Sequence, residues 1–490
     1  MTKSRVREKS KMASRPSSSL PSSPSPHFVL FPFMSQGHTI PLLRLAHLLH
    51  YRGVSVTIFT TPANSPPIRR YFANTTVSVV ILPFPAAVPG IPPGVENTEK
   101  LPSFSLFATF ASATKLMQLD FERALAALPA VDCLISDGFL GWTRPSAAKL
   151  GIPRVASFGI SNFSMTVCHI ISQDRPHIGV ADDDPFLLPH FPSLKITRND
   201  IERPFCDDKP AGEFFEFVVE QWGELFKSQG LIINSAYELE PRFHEYWNQN
   251  VGPTAWCVGP LCLVDTNKPQ EINPKKIEKP KWADWLDDKL HEGKPVLYVA
   301  FGTQAEMPPE QLFEIAEGLE RTEVSFLWVL RNKGLRFTEG FEERVGGRGM
   351  VVKEWVDQME VLRHQSIRGF LSHCGWNSVT ESICSGVPIL AMPQMAEQHL
   401  NARMVVEEMG VGLRVRPRNG SVRGCVAAEE VERRVSQLMR GEEGKAVRKR
   451  VEEVRKVACD AMELAGSSSV ALERFIDEFC AKRRGHFALG

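Results

Sequence analysis

The residues able to do chemistry gather in one stretch, Trp355 to Gln398, WVDQMEVLRHQSIRGFLSHCGWNSVTESICSGVPILAMPQMAEQ. Within it, 369–372 is a short apolar run of buried-strand type. His373, Cys374, Gly375, Trp376, Asn377 and Ser378 follow, and a helical pattern runs on through Ile383. That pattern predicts a turn into a helix with Asn377 or Ser378 near its N-cap. Free N–H groups and the positive end of the dipole at such a terminus favour phosphate. Gly375 lets the backbone approach a ligand closely. Residues 385–388, SGVP, end the helix, and 389–391 is the next strand. Polar His373, Asn377, Ser378, Glu381, Glu397 and Gln398 thus collect at strand and helix ends, where ligands sit in an open parallel sheet. A generic buried strand–helix–strand unit leaves those polar side chains without a reason.

Three other places carry reactive types. Residues 27–33 read as a buried strand, 34–38 as a turn, 39–50 as a helix and 54–60 as a second strand. This βαβ unit puts His38 at the carboxyl end of its first strand, facing the ligand crevice; a capping or solvated histidine is the bland alternative. Asp137 ends the strand 131–136. Most such aspartates cap the next helix, but one beside an imidazole fixes its tautomer and stabilises its protonated form. After the strand 296–301, Gly302 and Thr303 make a turn whose hydroxyl and N–H could meet a phosphate, or simply lead into a helix. The run Asp182, Asp183, Asp184 could hold a metal on a diphosphate, but nothing nearby completes a site, so no metal ligand is assigned.

The elements that must position these groups fall into two halves. With 490 residues, more than one domain is expected. Strands at 77–82, 154–158, 231–235 and 256–260 alternate with helices at 104–128, 161–171, 214–228 and 238–248. Residues 172–212 are polar and proline-rich and read as a variable segment. The stretch 265–281 is poor in apolar residues and reads as a linker. The alternation then restarts, with a helix at 308–321, a strand at 325–330, and helices at 402–409, 429–439, 446–464 and 470–482. The expected division is a disordered tail 1–26, a first domain 27–260, a linker 261–281, a second domain 282–465 and a C-terminal helix in 466–490. The fold class is α/β, two doubly wound, Rossmann-like domains facing a cleft.

Composition excludes several classes. Lys plus Arg and Asp plus Glu both number 57, so no net field draws nucleic acid or an acidic membrane. Ten cysteines lie singly with no CxxC pair, against a zinc ribbon or redox dithiol and for a reducing, cytoplasmic compartment. No apolar run reaches the length of a membrane span. The tail is rich in Ser, Pro, Lys and Arg; an organelle-targeting segment is its alternative reading.

The stretch from Trp355 to Gln398 resembles the C-terminal signature box of plant secondary-product glycosyltransferases that use UDP-sugars. It opens on Trp, closes on Gln and holds HCGWNS and GVP in the family's register. FPFMSQGHTIPLL resembles that family's first strand–turn–helix, and ISDGF the segment of its partner acid. The resemblance covers nearly all of 27–482, most specifically in the box and most loosely between 160 and 230. It implies the GT-B fold, with the C-terminal helix packed back on the first domain. It implies transfer of glucose from UDP-glucose, a donor substrate and not a cofactor, without a metal. His38 takes the place of the catalytic base and Asp137 of its partner. Trp355 takes the place of the uracil platform, with Val356 beside it and Gln358 near base or ribose. Glu381 falls to the ribose, and His373, Asn377, Ser378 and Thr303 to the diphosphate. Trp376, through N–H and ring, Glu397 and Gln398 fall to the sugar. Gln398 matches the glucose-using members, and Glu397 stands where many have Asp. Ser161, in SFGISN, stands near a hydroxyl that often touches the sugar.

The expected reaction is direct displacement giving a β-glucoside. Residues 83–102, 104–110 and 160–215 are rich in Phe, Leu, Pro and Met and should line an acceptor pocket. A flavonoid or simpler phenolic is expected there, with a terpenoid or hormone, or another UDP-sugar, as the alternative. The expected protein is a monomer with no nucleic-acid partner and no stable membrane insertion. A nicotinamide oxidoreductase is disfavoured because no GxGxxG opens either half. A UDP-sugar epimerase would not release UDP in response to acceptor, and a silent binder would have no use for a His38–Asp137 pair.

Overall fold

The run HFVLF, His27–Phe31 (β1), is apolar on both faces, as a strand covered by helices on both sides must be. In the computed structural model it lies at the centre of the first of two parallel sheets. The structure describes residues 25–264, 279–304, 306–330 and 340–487; the expected tail through residue 24 and the linker at 265–278 lie outside them. The other strands of the first half are β2 (Ser55–Thr60), β3 (Ser78–Ile81), β4 (Cys133–Asp137), β5 (Arg154–Phe158), a small antiparallel hairpin β6 (Phe186–Leu188) and β7 (Phe191–Ile196), β8 (Gly230–Ile233) and β9 (Ala255–Cys257). The second half supplies β10 (Val296–Ala300), β11 (Ser325–Val329), β12 (Gly349–Val352), β13 (Ile367–Ser372), β14 (Ile389–Ala391) and β15 (Gly412–Arg414).

The first sheet runs in the order β3-β2-β1-β4-β5-β8-β9, the second in the order β12-β11-β10-β13-β14-β15. In each, the chain winds outward from one central strand, then returns to its other side. Loops leaving the two central strands therefore diverge and open a crevice at their carboxyl ends. In the first sheet those strands are β1 and β4, where Phe31 pairs with Ser136. In the second they are β10 and β13, where Ala300 pairs with Ser372. These registers bring the segment around His38 to Asp137, and Gly302 to His373.

Several elements differ from the sequence reading. The first helix is Gln36–Tyr51, so His38 lies in its first turn rather than before it. The stretch 104–128 divides into helices Phe107–Ala113 and Gln118–Ala126 joined by tight turns. The β6–β7 hairpin lies inside the segment read as merely variable; its Phe186, Leu188, Phe191, Leu194 and Ile196 are buried. Packed structure runs past residue 260, because Leu261 and Cys262 are buried in a turn at Leu261–Leu263. It resumes as helix at Lys281–His291, so Lys281 is not linker. The C-terminal helix is Ser467–Phe487, and Leu472, Phe475, Ile476 and Phe479 share a core with Phe28, Ile58 and Val258 of the first half. Among the described residues no helix is long and apolar enough to cross a membrane.

Candidate active site

On the first lobe, β1 is followed by buried Phe33 and Met34 and the chain turns into Gln36–Tyr51. The N-cap, Ser35, makes no side-chain capping bond. Instead Oε1 of Glu99 accepts from the Gln36 N–H at 2.6 Å, a carboxylate at the positive end of the helix. This fixes the turn that carries His38. Nδ1 of His38 lies 2.8 Å from Oδ2 of Asp137, and Oδ1 of Asp137 accepts from the Phe139 N–H at 2.9 Å. Both carboxylate oxygens are engaged, so the capping role and the imidazole-partner role coexist. Arg154 donates to the Asp137 carbonyl at 2.9 Å and holds the end of β4. With Nδ1 facing Asp137, Nε2 faces the cleft. Gly159 lies beside this ring, close enough that a Cβ there would stand 3.9 Å from Nε2, an ordinary contact.

Burial acts to lower the His38 pKa, but the charge and hydrogen bond of Asp137, helped by Glu397 and Glu99, outweigh it and raise it above the ordinary 6.5. The imidazole is thus a stronger base than a free histidine. Around it stand aromatic rings: Phe139 at 5.1 Å and Phe33 at 5.7 Å between centroids, with Phe107 in contact with both.

On the second lobe, the helix of the box is Trp376–Ser385, and its N-cap is Gly375, not Asn377 or Ser378. The chain leaves β13 through Cys374 in the left-handed region (φ 63), which turns it directly into the helix. The first bond of this helix runs from the Val379 N–H to the Gly375 carbonyl at 3.0 Å. The N–H groups of Trp376, Asn377 and Ser378 therefore have no partner within it, and glycine offers no capping side chain to occupy them. His373 sits beside this terminus. Its ring is wedged between Gly302 and Gly375, whose added Cβ atoms would lie 2.9 and 2.7 Å from its Nε2. Burial lowers its pKa to about 4, so it is a neutral imidazole near neutral pH. Thr303, on the same turn as Gly302, is exposed.

Farther along this helix, Glu381 is nearly enclosed and forms a network with Gln358. One amide nitrogen, Nε2 of Gln358, donates at 2.8 Å to both Oγ of Ser378 and Oε2 of Glu381. Burial raises the Glu381 pKa. Trp355, three residues before Gln358, is 60% exposed, an open face for a flat base. Val356 next to it is buried in the core, so only its backbone can meet a ligand. After β14, Oε1 of Gln398 accepts from the Gln394 and Met395 N–H groups at 3.0 and 3.1 Å, leaving its amide nitrogen outward. Glu397 meets Asn401 at 3.2 Å, and its charge is felt by His38 across the cleft.

Two expectations are corrected. The Trp376 ring is 1% exposed and donates from Nε1 to the Asn234 carbonyl of the first lobe at 2.8 Å. It fastens the lobes together and cannot stack on a sugar, so only its backbone N–H remains for a ligand. Ser161 is fully buried, accepting from the Ser164 N–H and donating to Asn401, so its hydroxyl is not available to a sugar. Asp182 pairs with Arg198 and Arg203, and Asp183 bonds Ser421; they tie surface segments together. Contacts that the sequence reading missed also bridge the cleft. Asn377 donates to the Gly37 carbonyl at 2.6 Å, Gln304 donates to Ser35 and Thr98 at 2.9 and 2.6 Å, and Arg44 reaches Glu381. Arg44 had one visible signal, a charge inside the otherwise apolar run PLLRLA.

A base with its carboxylate on one lobe thus faces an uncapped helix terminus, a nearly buried carboxylate and an open indole on the other. Comparison with known proteins decides the family. Residues 283–441 match the model for UDP-glucoronosyl and UDP-glucosyl transferases. UDP-glycosyltransferase 90A1 of Arabidopsis thaliana is 48% identical, over 93% of this chain and 97% of that protein. The chain belongs to the plant UDP-glycosyltransferases. Glycyrrhiza uralensis UGT73P12, crystallised with glycyrrhetinic acid 3-O-monoglucuronide, superposes with a TM-score of 0.84 at 28% identity, covering 95% of this chain and 97% of its own. Phytolacca americana UGT2, complexed with UDP-2fluoro-glucose and pterostilbene, gives 0.76 at 28% identity, covering 93% and 100%. As a member of this family the chain is a GT-B enzyme that transfers a glycosyl group from a UDP-sugar to an acceptor.

Proposed function

We propose that the enzyme transfers glucose from UDP-glucose to a hydroxyl of a small lipophilic acceptor, a flavonoid or other phenolic, with inversion to a β-O-glucoside. The carrying observation is the His38–Asp137 pair at 2.8 Å, opposite the uncapped helix that begins at Trp376. Nε2 of His38 takes the acceptor proton, the acceptor oxygen attacks C1 from the face opposite UDP, and the C1–O bond to UDP breaks with its electron pair leaving on the diphosphate. Asp137 stabilises the imidazolium so formed. The N–H groups of Trp376, Asn377 and Ser378, neutral His373 and Thr303 receive the charge that develops on the diphosphate, a role that in other folds falls to a metal. Trp355 and the Val356 backbone hold uracil, and Glu381, aimed by Gln358, accepts from the ribose hydroxyls. Glu397 and the Gln398 amide nitrogen hold the sugar.

Gln398, and the UDP-2fluoro-glucose complex of a relative, favour glucose. The aromatic wall of Phe33, Phe107 and Phe139 favours a flat acceptor, as does the pterostilbene of the same complex. A phenolic hydroxyl is already acidic, so the base has less to do. The relative holding glycyrrhetinic acid 3-O-monoglucuronide supports a second reading, the same chemistry on a terpenoid. We also place the enzyme in the cytoplasm, acting as a monomer and needing no metal. The test is a matrix of UDP-sugars against flavonoids, phenolic acids and terpenoid alcohols, read by product mass, with His38→Ala beside wild type. The reading expects a glucose adduct on a phenolic, lost in the variant. An adduct only from another UDP-sugar, or only on terpenoids, overturns the finer assignment; wild-type turnover by His38→Ala overturns the base.

A further inference from the structure

One helix of the first lobe is joined to one helix of the second by polar side chains. The face of Gln36–Tyr51 that carries Gly37 and Arg44, two helical turns apart, meets the face of Trp376–Ser385 that carries Asn377 and Glu381, one turn apart. Two polar contacts join them. Nδ2 of Asn377 donates to the Gly37 carbonyl at 2.6 Å, and Nη1 of Arg44 donates to Oε1 of Glu381 at 3.3 Å. Both ends of the second contact are largely enclosed, with 19% and 12% of the side chains exposed. It is an ion pair in a crevice rather than a surface pair, so solvent screens it weakly.

The lone pairs of Glu381 are divided in a way that suits a diol. Each carboxylate oxygen has two acceptor positions. Oε1 gives one to Arg44, and Oε2 gives one to Gln358 at 2.8 Å. One position on each oxygen remains, the number two vicinal hydroxyls require. We propose that Arg44 is a positioning residue for the donor: from the acceptor lobe it keeps Glu381 ionised and aimed for the ribose diol, so the nucleotide site is complete only with the lobes together. The inference rests on the assignment of Glu381 to the ribose.

The chemistry gives it a direction. A protonated Glu381 would place a donor where the diol needs an acceptor. Burial favours that protonated form, and Arg44 opposes it most strongly, with Gln358 assisting. The other titratable groups that act on this carboxylate are Asp357, which favours protonation, and Cys384 on its own helix. Removing Arg44 therefore raises the Glu381 pKa further. Donor binding then weakens already at a higher pH as the solution is acidified.

The experiment is steady-state kinetics with the full chain, varying UDP-glucose and acceptor separately across pH, for Arg44→Met, Arg44→Gln, Arg44→Lys and Glu381→Ala. UDP affinity is measured by calorimetry on each. Arg44→Met and Arg44→Gln should raise the donor KM about tenfold, the value of one charge-assisted hydrogen bond. The acceptor KM should stay near wild type, the rise in donor KM on acidification should begin at higher pH, and Arg44→Lys should recover most of the loss. A donor KM that stays at the wild-type value in both neutral variants, while Glu381→Ala raises it, overturns the role of Arg44 and leaves the ribose assignment standing. A wild-type donor KM in Glu381→Ala overturns the ribose assignment itself. A uniform, pH-independent loss not recovered by lysine shows a merely structural contact, and it too overturns the proposal.

Discussion

At the scale of single residues, His38 is a base strengthened by its surroundings. Its pKa is raised, so the neutral form that can accept a proton disappears as pH falls through a value above 6.5. Wild-type kcat/KM should therefore fall on acidification with its limb above that value. Asp137→Asn removes the carboxylate charge that does most to raise the pKa and leaves burial, which lowers it. The acid limb should move to lower pH, and the rate at neutral pH should drop about 10²- to 10⁴-fold, the usual contribution of a general base held in the right tautomer. A pH–rate profile of kcat/KM for the two proteins checks both. A limb that stays in place would mean that Asp137 only caps the turn through Phe139. His38 and Asp137 were legible because one closely follows and the other ends a recognisable buried run, and parallel pairing of those runs brings them together. The Trp376 ring was not, because its partner, the Asn234 carbonyl, lies in the other lobe and no local pattern points to it.

At the scale of elements, the donor site depends on two neighbouring strand ends that both need glycine. Gly302 has φ 77, where any side chain is strained. Gly375 has φ −57 and ψ 140, an ordinary extended conformation, so alanine there meets no backbone penalty. What it meets is His373, since its Cβ would lie 2.7 Å from Nε2. Gly375→Ala should push the imidazole out of its slot and weaken UDP binding about tenfold or more, the loss of one phosphate hydrogen bond. Isothermal titration with UDP measures this, and wild-type affinity would show that His373 is not a diphosphate ligand. The strand–turn–helix unit itself was plain in the sequence, but its cap was misplaced by two or three residues. Asn and Ser are favoured N-caps in general, yet the left-handed Cys374 starts the helix early and moves both into its first turn. The β6–β7 hairpin escaped notice for a related reason. Its strands are short and interrupted by proline, and their apolar face is buried against a core that extends into the second lobe.

At the scale of the molecule, the chain crosses between lobes more than once, and the last crossing is the one with the clearest energetic consequence. The long helix Glu442–Met462 ends, and Ser467–Phe487 then seats on the first sheet. Oγ of Ser468 donates to the Gly259 carbonyl at 2.6 Å, and Arg52 bonds Ser469 at 2.6 Å and pairs with Glu473 at 2.8 Å. Phe475 is fully buried, 5.7 Å from Phe28 and 5.2 Å from Trp256 between ring centroids. The first lobe thus completes its core with residues from the far end of the chain. Apolar spacing showed this helix but not its seat, because spacing tells which face is buried and not against what; that it packs back on the first domain followed only from the family resemblance. Phe475→Ala leaves a cavity among rigid aromatic neighbours and should cost about 3–5 kcal/mol. In a lobe of this size that lowers the unfolding temperature on the order of 10 °C. Catalysis should change little below the transition, since none of the proposed site residues lies on this helix. Scanning calorimetry beside a rate assay at 25 °C separates the two. An unfolding temperature within a degree or two of wild type would mean that the first lobe is stable without its borrowed helix. A collapse of kcat at 25 °C with an unchanged transition would mean instead that the helix acts on the cleft and not on the core.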